Sequence, residues 1–162
     1  MQNANQAHQS PSPGSDQDPA KIFRAGLLLL RNDNVMGALV AFENAFGLDP
    51  EEPIYMSYLG LARVLLRKDV KVSVELCEKA AQKNLYHPEI YHNLGRVYLM
   101  RGQRKKALDA LNSGLRIDKN NADILLELQR MGQRGDPPVP FLRRDNVLNF
   151  YLGKFFGKLG LR

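Results

Sequence analysis

Few residues in this chain are of types that perform chemistry, and their spacing does not bring them together. His8, His87 and His92 are distant in the sequence from the single cysteine, Cys77, so we predict no zinc site. The carboxylate pair at 51–52 stands at a junction between two patterned segments, and no phosphate-binding loop of the form GxxxxGK is present. We therefore predict that the chain is not an enzyme and that it has no catalytic, metal or cofactor site.

The lone cysteine fits a structural role. Cys77 stands among Val74, Leu76 and Ala80 in an apolar helical pattern, which predicts a small buried hydrophobe. One cysteine excludes an internal disulfide and fits a reducing compartment, so we expect a cytoplasmic location.

The composition is that of a globular domain. The chain has 162 residues, of which 44% are hydrophobic and 25% charged. No apolar run approaches the roughly 18 residues that a membrane-spanning helix needs. Residues 1–18 are rich in Gln, Asn, Ser, Pro and Asp and lack the features of a secretory signal, so we predict a disordered leader there.

The net charge of +6 is unevenly distributed. Residues 141–162 contain five basic and one acidic residue, which leaves 18 basic and 16 acidic residues for the rest of the chain. The body is therefore nearly balanced, and its basic run at 104–106 is interpreted as a solvated helical face. This distribution makes nucleic acid an unlikely partner.

The chain contains an internal repeat. Pro19, Pro53 and Pro88 are 34 and 35 residues apart, and each begins a segment with glycine at its eighth position. Within each segment an apolar pattern of helical spacing is interrupted by a short polar break and then resumes. A period of this length indicates an array of helical hairpins. The glycines stand inside predicted helices, and close approach of the paired helix is the expected reason: Gly26, Gly60, Gly95.

These segments resemble the tetratricopeptide repeat (TPR) family, whose pattern combines a large residue, Leu-Gly and an aromatic with Ala, a large apolar residue, Ala and Asp-Pro. The third segment matches at Tyr91, Leu94, Gly95, Tyr98, Ala107, Leu111 and Asp118. The first matches at Gly26, Ala38, Phe42, Ala45, Asp49 and Pro50. The second matches at Leu59, Gly60, Ala62 and Ala80, but it needs one extra residue near Lys68-Asp69 and lacks a glycine in its turn.

The resemblance implies an all-α fold, a right-handed superhelical array of TPR hairpins (an α-solenoid) followed by an amphipathic C-terminal tail. We expect a TPR domain over 19–134, with repeats at 19–52, 53–87 and 88–121 and a capping helix at 122–133. A linker and a basic, aromatic tail would follow over 135–162.

The resemblance also implies a function, because the first helices of successive TPR repeats line a concave groove. The chain is then a non-catalytic adaptor or scaffold that binds a peptide or helix of a protein partner. The same leucines could instead be packed between hairpins as core, and the spacing leaves both alternatives open. The groove positions are Phe23, Leu27, Leu30, Ser57, Leu61, Leu65, His92, Arg96 and Leu99.

One TPR subclass grips the carboxylate end of chaperone peptides with Lys and Asn at set positions. Only Asn93 among the matching residues could make such a contact, and none of them is a cation, so binding by that mechanism is not expected. The matching positions are Phe23, Leu27, Tyr58, Glu89 and Asn93.

The C-terminal tail, residues 141–162, has apolar residues at helical spacings beside five Lys or Arg. It could pack on its own array, or make a homodimer or partner contact. It could also lie on an anionic membrane surface. The last possibility gives an alternative function, that of a peripheral membrane-associated assembly factor. The tail contact residues would be Leu148, Tyr151, Leu152, Phe155 and Phe156.

Overall fold

The computed structural model of the chain describes residues 18–132, and these form seven α-helices and no strand. The predictions for the leader and for the tail, including the five tail contact residues, concern residues outside this range. The helices are α1 (Pro19–Arg31), α2 (Val35–Leu48), α3 (Pro53–Leu65), α4 (Val70–Lys83), α5 (Pro88–Met100), α6 (Arg104–Ile117) and α7 (Ala122–Gly132).

The repeat prolines mark where the odd-numbered helices of the array begin. Pro19, Pro53 and Pro88 each stand in the first helical turn, where the missing N–H of proline has no intrahelical acceptor to lose. Side chains cap two of these starts: Asp18 accepts from the Ala20 backbone N–H at 2.9 Å, and a Glu52 carboxylate accepts from the Ile54 N–H at 3.2 Å.

Each hairpin turns through a residue with positive φ. The residues are Asp33 (58°), Arg67 (56°) and Gly102 (71°), so only the third turn uses the residue type that adopts this conformation without a steric penalty. The second turn contains one more left-handed residue, Asp69 at 39°, which is the N-cap residue of α4 and makes no side-chain cap bond. The extra residue of the second repeat is therefore absorbed in this turn.

Six helices pair into three hairpins, α1–α2, α3–α4 and α5–α6. Successive hairpins stack because α2 packs on α3, α4 packs on α5, and α3 lies directly beside α5. Helices α1, α3 and α5 are called the inner layer below.

The repeated glycines allow the two helices of a hairpin to approach closely, as the sequence predicted. A Cβ atom built on Gly60 would lie 2.5 Å from the Cys77 sulfur and 2.7 Å from the Ser73 backbone oxygen. A Cβ on Gly95 would lie 2.7 Å from the Leu111 side chain. A side chain at either position would push the two helices of the hairpin apart, so glycine is what allows them to be in contact.

A core cluster of buried residues joins the first hairpin to α3 through aromatic rings. The Phe42 ring is completely buried, and its centroid lies 5.5 Å from that of Phe23 and 5.4 Å from that of Tyr58. Phe23 also contacts Tyr55, with a centroid distance of 4.8 Å. Such offset aromatic contacts add to the free energy gained from burial alone.

Helices α1–α6 belong to one compact unit, and α7 belongs to a second. Helix α7 is amphipathic: Ile124 and Met131 are buried, whereas Leu125 and Leu126 are exposed. The described fold is all-α, and its hairpins have the stacking of an α-solenoid.

Candidate peptide-binding surface

Six of the nine predicted groove residues are half-buried side chains of the inner layer. Four of them are leucines, and the third repeat contributes one imidazole and one guanidinium group. Leu27 and Leu30 rest against the aromatic core cluster, so their buried sides are fixed in position. This set is called the inner surface: Leu27, Leu30, Leu65, His92, Arg96 and Leu99.

The other three predicted groove residues are buried and belong to the packing between helices. The Phe23 ring contacts the rings of Phe42, Tyr55 and Tyr58, while Ser57 and Leu61 have no exposed area. These three side chains are therefore part of the core, which is the alternative that the spacing left open for the leucines. For the six residues of the inner surface, a role in binding stays a prediction.

A buried polar contact connects two helices of the inner layer. The Asn93 amide Nδ2 donates a hydrogen bond to Ser57 Oγ at 3.1 Å, and both residues are buried. The sequence reasoning did not single out this pair. In the sequence, the sign of this contact is that Ser57 and Asn93 are polar at positions where the helical pattern favours apolar residues.

Three of the five chaperone-clamp positions make other contacts here. Phe23 lies in the aromatic cluster, and Asn93 is engaged by Ser57. The Glu89 carboxylate lies 2.6 Å from His87 Nδ1. These contacts give the positions packing and local polar roles.

Cys77 is completely buried beside Gly60, in agreement with the sequence prediction. Its thiol lies 3.4 Å from the Ser57 carbonyl oxygen, to which it donates. Burial raises the pKa of the Cys77 thiol to about 12, and the neighbouring Glu78 charge adds to the increase. A thiol held neutral in this way is not a nucleophile at physiological pH.

The raised pKa of Cys77 predicts that stability decreases in alkali. The unfolded thiol loses its proton near pH 9.0 and the folded thiol near pH 12, so the folded state holds a proton that the unfolded state has lost. The urea midpoint is expected to decrease as the pH rises through this window. It should decrease less in Cys77→Ala, and equal pH slopes for the two proteins would contradict the assignment.

A phenol–carboxylate pair lies between the second and third repeats. The Tyr98 hydroxyl donates to Glu78 Oε1 at 2.5 Å, and the Lys106 ammonium lies 5.3 Å from the centroid of the Tyr98 ring. Burial, together with the hydrogen bond to Glu78, raises the pKa of the Tyr98 hydroxyl. The pair therefore connects α4 to α5.

Two kinds of site are absent from residues 18–132. No group of three or more His, Cys, Asp or Glu side chains in that range could hold a metal ion. None of the helices within the same range has the length and apolar character required to cross a bilayer.

Comparison with known proteins agrees with the repeat architecture. The model of the tetratricopeptide repeat family matches residues 88–121. The mouse BBSome complex member BBS4 is 29% identical over 105 residues, which are 65% of this chain and 20% of that protein. The chain thus spans about one fifth of the length of this relative.

Solved TPR domains share the fold. The first TPR of Spaghetti (RPAP3) bound to the HSP90 peptide SRMEEVD has a TM-score of 0.59 at 19% identity, covering 72% of this chain and 92% of that one. The TPR2B domain of yeast Sti1, in a complex with pHsp70, has a TM-score of 0.58 at 17% identity, covering 70% and 91%. Residues 88–121 thus match a tetratricopeptide repeat, and the three stacked hairpins have the fold of solved TPR domains.

Proposed function

We propose that the chain is a non-catalytic adaptor and that its inner surface binds a peptide or helical segment of a protein partner. The observation that carries the proposal is the set of six half-buried side chains on the inner layer, which presents four leucines next to one imidazole and one guanidinium. Half-buried leucines on packed helices offer fixed apolar contact area, which a ligand can cover with little ordering of the receptor.

The chemistry of the inner surface suggests the chemistry of the ligand. Leu27, Leu30 and Leu65 favour large apolar side chains, whereas Arg96 favours a carboxylate or a carbonyl oxygen. An amphipathic segment with apolar residues on one side and an acidic residue near one end combines both features. The bound peptides in the Spaghetti and Sti1 structures support peptide binding as a use of this fold.

The proposal differs from carboxylate-clamp binding. The five clamp positions provide no cation, so the ligand is held by its apolar side chains and not by its C-terminal carboxylate. The HSP90 peptide SRMEEVD and the same peptide with an amidated C-terminus are therefore expected to bind equally weakly.

The test is selection from a random peptide library displayed on phage against the full chain, followed by titration of a selected synthetic peptide. Leu65→Gln and Leu99→Gln are each expected to weaken binding of that peptide about three- to tenfold, since a ligand covers only the exposed part of a half-buried leucine, which is worth about half of full burial. Circular dichroism checks that both variants keep their helices.

Val72→Gln is the matched control, because Val72 is an exposed apolar residue on α4 and not on the inner layer. Its affinity for the peptide should equal that of the unsubstituted chain. If the peptide bound Val72→Gln more weakly than the unsubstituted chain, but bound the two leucine variants as tightly, the site would not lie on the inner surface.

A further inference from the structure

The second helix of the first repeat has an outer surface unlike those of the other two repeats. Helices α2, α4 and α6 each have 14 residues, so their positions can be compared one to one. At the second helical position they carry Met36, Lys71 and Lys105. At the sixth position they carry Val40, Glu75 and Asp109. At the thirteenth and fourteenth positions α2 carries Gly47 and Leu48. Helix α4 carries Gln82 and Lys83 there, and α6 carries Arg116 and Ile117.

These α2 residues are exposed in the structure. Met36 and Val40 are each 52% exposed and Leu48 is 45% exposed. The α2 back face is defined as Met36, Val40, Gly47 and Leu48. A crevice of about 380 Å³ adjoins it, lined by Ile22, Glu43 and Asn44 together with Gly47 and Leu48. Helix α2 thus has an apolar buried side and also exposes three large apolar side chains beside Glu43 and Asn44.

The segment that carries the α2 back face has a net negative charge. Residues 32–52, which comprise α2 and its flanking turns, contain five carboxylates and no Lys or Arg. Arg63 pairs with Glu43 at 3.1 Å, and Lys83 pairs with Glu51, which leaves an excess of three carboxylates. The face therefore combines exposed apolar area with net negative charge.

The equivalent segments of the other repeats have the opposite charge. Residues 66–87 around α4 contain five basic and three acidic residues, and residues 101–121 around α6 contain six basic and two acidic. A positively charged apolar segment would be attracted to the back of the first repeat and repelled from the backs of the second and third.

The chain itself contains a segment of that chemistry. Residues 141–162 include four Phe, one Tyr and five Lys or Arg against a single Asp. Two α2 back faces would repel each other through their carboxylates, so direct pairing of this face with itself is disfavoured. A chain that carries both a face and a segment of complementary charge can instead pair reciprocally with a second copy and close as a two-fold dimer.

We propose that the α2 back face is the docking site for residues 141–162 of a second copy of this chain. The apolar side chains of that segment cover Met36, Val40 and Leu48, and its lysines and arginines lie among the carboxylates of residues 32–52. The contact is electrostatically assisted, so it weakens as salt is added.

The experiment measures the mass of the full chain by light scattering over a wide range of concentration. The expected result is a dimer at high concentration and low salt that dissociates in high salt. The face variant, Met36→Lys with Val40→Asp, introduces the residues that α6 has at the same positions and should raise the dimer dissociation constant about tenfold or more. Val72→Lys, on α4, is the control and should leave it unchanged.

The tail variant, Lys154→Glu with Lys158→Glu, should weaken the dimer similarly. A mixture of face variant and tail variant retains one intact face and one intact segment, so it should form a mixed dimer when neither variant dimerises alone. A chain that is monomeric at every concentration, including one that docks the segment on itself, would overturn the proposal. So would a dimer that the face variant leaves unchanged.

Discussion

Replacing Phe42 with Ala is expected to lower the free energy of unfolding by about 3–5 kcal/mol, the largest effect of any substitution considered for this chain. The Phe42 ring has no exposed area and contacts the rings of Phe23 and Tyr58, so its removal leaves a cavity between the first hairpin and α3. Because repeats stabilise one another through neighbouring contacts, the loss should weaken the attachment of α1 and α2 to the array. Urea denaturation, monitored by circular dichroism, measures the loss in free energy of unfolding.

Phe46→Ala is the control for this prediction. Phe46 lies on the same helix but is only partly buried against the same cluster, so an identical truncation removes less buried area. A loss for Phe46→Ala as large as that for Phe42→Ala would show that the aromatic cluster does not centre on Phe42.

Gly60→Ala is expected to destabilise the chain by about 1–3 kcal/mol, although alanine favours an α-helix over glycine by about 0.5–1 kcal/mol. The new Cβ would lie 2.7 Å from the Ser73 backbone oxygen, and a backbone atom of a packed helix cannot move aside as a flexible side chain can. Helices α3 and α4 would have to separate. Thermal and urea denaturation both report the loss.

Gly47→Ala provides the matched control, since nothing lies within 4 Å of a Cβ atom at that position of α2. Here only the helix preference acts, and stability should increase by about 0.5–1 kcal/mol. The two substitutions are thus expected to have opposite signs. If Gly60→Ala were as stable as the unsubstituted chain, the close approach of α3 and α4 would not be what requires glycine.

The hairpins could be predicted from sequence because their determinants are local. Proline in the first helical turn and a break between two apolar helical patterns depend on residues a few positions apart. The glycine positions also revealed the close helix contact, since Gly60 and Gly95 have no other reason to stand inside helices.

The second hairpin turn was harder to predict, because two left-handed residues that are not glycine, Arg67 and Asp69, absorb the inserted position. Asparagine and aspartate tolerate the left-handed conformation, but nothing in the local sequence predicts it for an arginine. The turn geometry is therefore imposed by the packing of α3 against α4 and not by the residues of the turn.

The assignment of groove and core could not come from spacing. Phe23, Ser57 and Leu61 follow the same helical pattern as Leu27 and Leu65, but neighbouring hairpins bury the first three and leave the other two half-exposed. Helix α2 posed a related difficulty: apolar residues on all sides give no preferred direction, so only the structure shows that Met36 and Val40 point outward.

The hydrogen bond between Ser57 and Asn93 also acts as a stop against sliding of α5 along α3. A slide of α5 by about one helical turn would place Ile90 or Val97 opposite Ser57 and leave a buried hydroxyl without its partner, at a cost of about 1–3 kcal/mol. Apolar contacts alone tolerate such a shift more easily, because they have no direction. The Ser57–Asn93 pair therefore helps to fix the axial offset between the second and third repeats, and with it the spacing between Leu65 and Leu99 on the inner surface.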